Sequence, residues 1–291
     1  MHSPARLAVV LAATLLSAGA CGSAPGASSP PASPAPAQTW WLRATVTQAI
    51  APLDLFANRP LLVITGDGIA VTEGPVPAIF PGPLHPNLVG RQLTGAGQAR
   101  IIQAARDLGL LSGPTDFSGG GMVMGGVTGH IVLTVDGMRV ELTGDPAAQI
   151  VCVTTPCEPE PGTPEAFGEL WRHLQDLSWL GAELGPEAPY VPAAYAILVG
   201  APPTPEPGLP QAPADWPLEQ PLATFGGPVA NGTARCGTVS GADADVLRPA
   251  LQAASQLTFW TQDPETSAAF GLTVRPMVPG EDVCREIFGA G

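Results

Sequence analysis

The chain of 291 residues carries 12 Lys+Arg against 25 Asp+Glu, a formal net charge of −13. This acidity argues against a nucleic-acid partner and against a basic face drawn to anionic lipid, and it favours solubility. Every cation is an arginine, so P-loop, Schiff-base and Ser-x-x-Lys chemistry are excluded for want of a lysine.

The first residues fall into three zones: a short start with Arg6, an apolar run over 7–16, and the small residues Ser17, Ala18, Gly19 and Ala20. That order predicts a secretory signal peptide over 1–20. The apolar run is shorter than the roughly 20 residues a membrane-spanning helix needs. Cys21 follows Ala18-Gly19-Ala20 directly, which resembles the bacterial lipobox, where small residues precede a cysteine that is lipidated. The family pattern prefers Leu where this chain has Ala18. The rival reading is an ordinary signal peptide cut nearby, leaving Cys21 a free thiol in an oxidising compartment. Residues 21–38 then read as the lipidated cysteine and its tether, rich in Pro, Ala and Ser and without charge. Extended, the tether reaches roughly 50 Å.

Two Asp-Gly hairpins are predicted next. Apolar runs over 61–65 and 69–72 flank Gly66-Asp67-Gly68, and runs over 131–135 and 138–142 flank Asp136-Gly137. Asp-Gly suits turns that need positive φ between twisted strands. A helix is expected after each hairpin. Over 97–108, Ile101, Ile102, Ala105 and Leu108 share a face, Thr94 is a candidate cap and Gly109 a stop. Thr163-Pro164-Glu165 opens the second, whose stripe is Phe167, Leu170, Trp171, Leu174 and Leu177. The prediction is an α+β fold of antiparallel hairpins each followed by a helix (two ββα units over 39–185). A smaller disulfide-closed unit follows over 186–291, in the same domain or a second one.

In the later part, strands are expected over 193–199, 233–239 and 270–277, and a long Pro-rich surface loop over 201–221. A short helix reaches about residue 256, beginning near Asp245 or kinking at Pro249. Setting Cys21 aside leaves Cys152, Cys157, Cys236 and Cys284, which allow three pairings. Cys152 with Cys157 and Cys236 with Cys284 are favoured, because the first pair brackets a short loop and the second ties the last unit's start to its end. A four-cysteine zinc site is the alternative, disfavoured by the export signal.

Arg235-Cys236-Gly237, Leu257-Thr258-Phe259-Trp260 and Val274-Arg275-Pro276-Met277 through Asp282, with Cys284, resemble uncharacterised secreted lipoproteins of high-GC bacteria. The stretch over 60–111 is similar in style. The resemblance implies a lipid-anchored, disulfide-stapled ectodomain and brings no activity, cofactor or site residue.

Signs of chemistry are sparse. His85, His130 and His173 share no metal-site spacing, and a solvated or structural role is the simpler reading of each. No nucleophile elbow, HExxH or dinucleotide fingerprint occurs. Gly119, Gly120, Gly121, Met122, Met124, Gly125 and Gly126 form a Gly-Met segment that reads as a flexible connector or as a candidate binding lip with adaptable Met side chains. Trp40, Trp41 and Trp260 read as packing residues, and Arg275 as the partner of a carboxylate or an anion. The expectation is a non-enzymatic, cofactor-free ectodomain, lipid-anchored on the extracytoplasmic face of the cell membrane, that binds an envelope protein or ligand. The alternative is an envelope hydrolase with a non-standard site near Asp116, Ser118 and His130.

Overall fold

A computed structural model describes residues 40–48, 52–119, 127–149, 158–209, 211–229, 232–262 and 268–289. Cys21, Cys152, Cys157 and residues 120–126 of the candidate lip lie outside them. The elements run β1 (Trp40–Gln48), α1 (Pro52–Ala57), β2 (Leu62–Thr65), β3 (Ile69–Glu73), β4 (Leu88–Leu93), α2 (Gly95–Asp107), β5 (Asp116–Phe117), β6 (Val127–Val135), β7 (Met138–Gly144) and α3 (Pro164–Gln175). A 3₁₀ turn over Leu177–Glu183 leads to β8 (Leu184–Pro189), β9 (Ala194–Gly200), β10 (Pro213–Asp215), β11 (Gly227–Val229), β12 (Ala234–Ser240), α4 (Ala242–Ala253), β13 (Phe259–Thr261), β14 (Gly271–Pro276) and α5 (Val283–Phe288). The fold is α+β and mostly antiparallel. Among the described residues only β5–β7 and β10–β13 pair in parallel.

The first sheet has the order β5-β7-β6-β1-β2-β3-β4-β8. Along β6, Gly129, Ile131, Leu133 and Val135 alternate toward the core, and the Asp136-Gly137 turn puts both residues at positive φ, 51° and 78°. That is the primed geometry the Asp-Gly pair favours. The core lies under α2 and α3, where Ile101, Ala105, Phe167, Leu170, Trp171 and Leu174 meet Leu42, Ile64, Ile131 and Leu133. Both helices are capped as the residue types dictate. Thr94 Oγ1 accepts from Gly97 N at 3.1 Å, and Thr163 Oγ1 accepts from Ala166 N at 3.3 Å, each satisfying an otherwise orphaned amide. Gly129 pairs with Gly144 beneath the Phe167 and Trp171 rings. A Cβ on Gly144 would sit 2.6 Å from Phe167, so this glycine is required for close approach.

The second sheet has the order β11-β12-β9-β14. α4 covers one face through Ala244, Leu247 and Leu251, which meet Tyr195, Ile197, Val274 and Trp260. α1 and α5 cover the other, where Phe56, Val283 and Cys284 meet Ala196, Leu198 and Cys236. The Cys236–Cys284 disulfide, with S–S 2.07 Å and Cα–Cα 5.6 Å, fastens α5 to β12. With both sulfurs in a covalent bond, this pair supplies no thiolate, and the four-cysteine zinc alternative falls.

Other expectations need correction. The first hairpin leads into β4 before α2 arrives, so the first predicted unit contains an extra strand. α4 starts at Ala242 and carries Pro249 within it, because the fully buried Leu247 and Leu251 hold the helix across the missing N–H. The loop over 201–221 is not purely superficial: β10 pairs with β13, and Trp216 enters the core against Phe225 and Trp260. By contacts, Ala37–Gly291 cluster as one compact unit.

Candidate functional site

Five prolines punctuate the loop over 74–87 between β3 and β4. Proline cannot donate to a ladder and fixes φ, so this segment forms no strand, but it makes an isolated antiparallel bridge, Pro83 opposite Ser255, and is narrowly constrained. Hydrogen bonds pin its two ends. Gly74 N donates to Asn87 O at 2.9 Å, Leu84 N to Ala254 O at 3.0 Å, and Gln256 N to Gly82 O at 3.0 Å. Gln256 Oε1 accepts from Gly82 N at 3.3 Å, and Asn87 Nδ2 donates to Pro75 O at 3.1 Å.

His85 fixes the far end. Its Nε2 lies 3.1 Å from the hydroxyl of the buried Tyr195, and the rings meet edge to face at 5.5 Å. Arg248 Nε donates to the same hydroxyl at 3.2 Å, and Arg248 Nη2 donates to Asp245 Oδ1 at 2.6 Å. Arginine can only donate, so the Tyr195 hydroxyl accepts from Arg248 and its own hydrogen is free for His85 Nε2. That arrangement suits a neutral His85. Burial pushes its pKa down, and the Arg248 charge adds to the effect against opposing hydrogen bonds to the backbone. Burial likewise pushes the Tyr195 hydroxyl up.

On this braced loop three large apolar side chains face water: Val76 is 52 % exposed, Ile79 65 % and Phe80 57 %. Beside them opens a cleft of about 380 Å³, walled by Val76, Pro83, Leu84 and Pro86 of the loop and by residues 272–274 of β14. Arg59 and Glu73, an ion pair, stand at its margin. A second cleft of about 360 Å³ is lined by Glu219, Gln220, Ser240 and Asp243, an acidic wall without exposed large apolar groups. The first therefore combines what a binding surface needs: apolar contact area, a concavity and an ordered backbone.

The residues singled out from sequence lie elsewhere. The Ser118 side chain, together with Ser118 N, which donates to Asp116 Oδ1 at 2.9 Å, holds the exposed Asp116 carboxyl below its ordinary range. His130 sits on β6, with Nδ1 3.3 Å from Thr143 Oγ1. The register sets Asp116 beside Thr143 and Thr143 beside His130. Among the described residues no hydrogen bond joins His130 to Ser118, the link a base–nucleophile pair uses. Gly119 follows β5 with φ 61°, and the glycine-rich passage ends where β6 begins at Val127, so Gly129 is a strand residue. His173 contacts the Trp179 ring at 4.7 Å and lies 3.5 Å from Glu169.

The loop's role escaped the sequence reading. A usable signal was present: Val76, Ile79 and Phe80 sit among prolines with neither helical nor strand periodicity to bury them. Comparison of the chain with protein-family models, with curated proteins and with solved structures yields no match.

Proposed function

We propose that this is a lipid-anchored protein of the bacterial cell envelope whose ectodomain binds another envelope protein through the loop over 74–87 and the cleft beside it. The anchor rests on the order Arg6, apolar run, Ala18-Gly19-Ala20, Cys21 and on the uncharged tether. A disulfide between Cys236 and Cys284 agrees with an oxidising compartment. The observation that carries the binding role is the exposure of Val76, Ile79 and Phe80 on a loop whose two ends are tied down by hydrogen bonds. Exposed apolar groups gain on burial, and a braced loop loses little conformational freedom when a partner arrives. The ββα reading belongs with this proposal: the second hairpin and α3 follow it, and the first does so with β4 added before α2.

Two measurements test it. Cys21→Ser should move the chain from the detergent phase to the aqueous phase on partitioning, or leave the signal uncut. A processed, detergent-phase variant overturns the anchor. The full chain should retain a defined set of proteins from solubilised envelope that an Ile79→Asp/Phe80→Asp double variant loses. Retention of the same set by both overturns the binding role of the loop.

A further inference from the structure

β14 gives the cleft more than a wall. It pairs antiparallel with β9, with Thr273 opposite Leu198 and Arg275 opposite Ala196. Two flanking contacts show which way each main-chain group points. Phe270 exchanges both of its groups with Trp260, at 3.0 and 2.8 Å, on the side away from β9. Met277 N donates to Ala194 O at 2.9 Å, on the β9 side. Main-chain groups alternate sides along a strand. Thr273 and Arg275 therefore point at β9, and the N–H and C=O of Leu272 and Val274 point outward.

Among the described residues no strand meets them there. After Trp260 pairs with Phe270, the chain that precedes β13 leaves the edge: Thr258 N donates to Ser255 O and Gln256 N to Gly82 O, both at 3.0 Å. At the other end Arg275 Nη1 donates to the carbonyls of Leu55, Phe56 and Asn58 at 3.2, 3.3 and 2.7 Å, tying the end of α1 to the strand. The gap spans two outward residues, roughly 7 Å of strand. Among the described residues no hydrogen bond takes the outward groups of Leu272 and Val274, and the cleft of about 380 Å³ lies over them. Arg59, on the cleft margin, has a buried Nε–H with no partner among the described residues. Pro276 closes the row with a carbonyl and no N–H, as an edge strand allows.

We infer that the outer edge of β14 is a strand-addition site, filled by a short extended segment of a partner polypeptide. The inference rests on the proposed binding role of the cleft and names the chemistry of its ligand. A peptide main chain offers alternating carbonyls and amides that match Leu272 and Val274, and its side chains on one face meet Pro83 and Leu84. A lipid chain leaves those amides unsatisfied, and a helix has already used its own backbone groups.

Hydrogen exchange on the purified full chain, read residue by residue, is the test. The probes are acetylated, amidated peptides alternating Val or Leu with Thr, about six residues long. In the free chain the amides of Leu272 and Val274 should exchange at least about tenfold faster than those of Thr273 and Arg275. A bound peptide should slow the first two and leave the second two unchanged. N-methylation of every second peptide bond should abolish binding in one phase and spare it in the other. Slow exchange at Leu272 and Val274 in the dilute free chain overturns the inference, and so does failure of every peptide to bind. Protection that grows with chain concentration alone assigns the edge to a second copy and also overturns it. Peptide binding with Leu272 and Val274 unchanged overturns strand addition while leaving the loop and cleft as the site.

Discussion

Arg43 and Glu281 join the two sheets. Arg43, on β1 in the middle of the larger sheet, donates from Nη2 to Glu281 Oε1 at 3.2 Å, and Glu281 follows β14 of the smaller one. The Glu281 carboxylate is 1 % exposed, and it also accepts from Arg275 Nη2 at 2.5 Å and Val278 N at 3.0 Å. Arg275 in turn caps the carbonyls at the end of α1. One carboxylate therefore serves two cations and one amide, and its loss leaves a buried arginine without a counter-charge. Glu281→Ala should destabilise by about 3–5 kcal/mol. Arg43→Met should cost less, since Arg43 is 19 % exposed and water can reach it. Urea unfolding of both variants checks the order. Equal, small losses would mean that the network does not couple the sheets.

The Cys236–Cys284 disulfide closes a long loop onto a short helix. Cys236 and Cys284 are 48 residues apart, and α5 has six residues and few other ties to the sheet. In the chain-entropy view closing a loop of that length contributes about 4 kcal/mol. Cys284→Ala should lower stability by that order and speed exchange in α5 before the larger sheet is affected. Uniform destabilisation with α5 still protected would show that packing of Phe288 against Phe56 suffices.

His85 makes the loop sensitive to acid. Its pKa in the fold lies below the ordinary 6.5: burial lowers it most, a backbone hydrogen bond at Pro86 opposes, and the Arg248 charge lowers it further. The unfolded chain then takes up a proton at higher pH than the folded one. The stabilisation tied to neutral His85 is fully present above about pH 6.5 and is lost as pH falls through the folded value. Denaturation across pH 7.5 to 5 should show the gap between the chain and a His85→Gln variant narrowing on the acid side. A gap that stays constant would mean that His85 does not titrate with folding.

How much of this was legible beforehand follows from where the information sits. The hairpins and the two capped helices were readable because Asp136-Gly137, Thr94 and Thr163 act locally, within a turn or a helical period. β8 was not: Leu-Gly-Pro-Glu-Ala-Pro has little strand propensity and pairs because β4 offers it an edge. The same holds for β10 and for α4, where buried neighbours override Pro249. The cleft was illegible for a related reason. Its walls, loop residues Pro83 and Leu84 and the strand residues 272–274, lie far apart in sequence and meet only through the fold. Exposure of Ile79 and Phe80 also depends on what fails to pack on them, which periodicity does not encode.

The most direct measurement is photo-crosslinking in living cells, with a photoreactive amino acid placed singly in the full chain at Ile79, Phe80, Met138 or Val246. All four are exposed apolar positions, and only the first two belong to the proposed surface. The expected result is a discrete protein adduct from Ile79 and Phe80 that is absent from Met138 and Val246. Adducts of equal yield from all four positions, or none from Ile79 and Phe80, would contradict a binding surface on this loop.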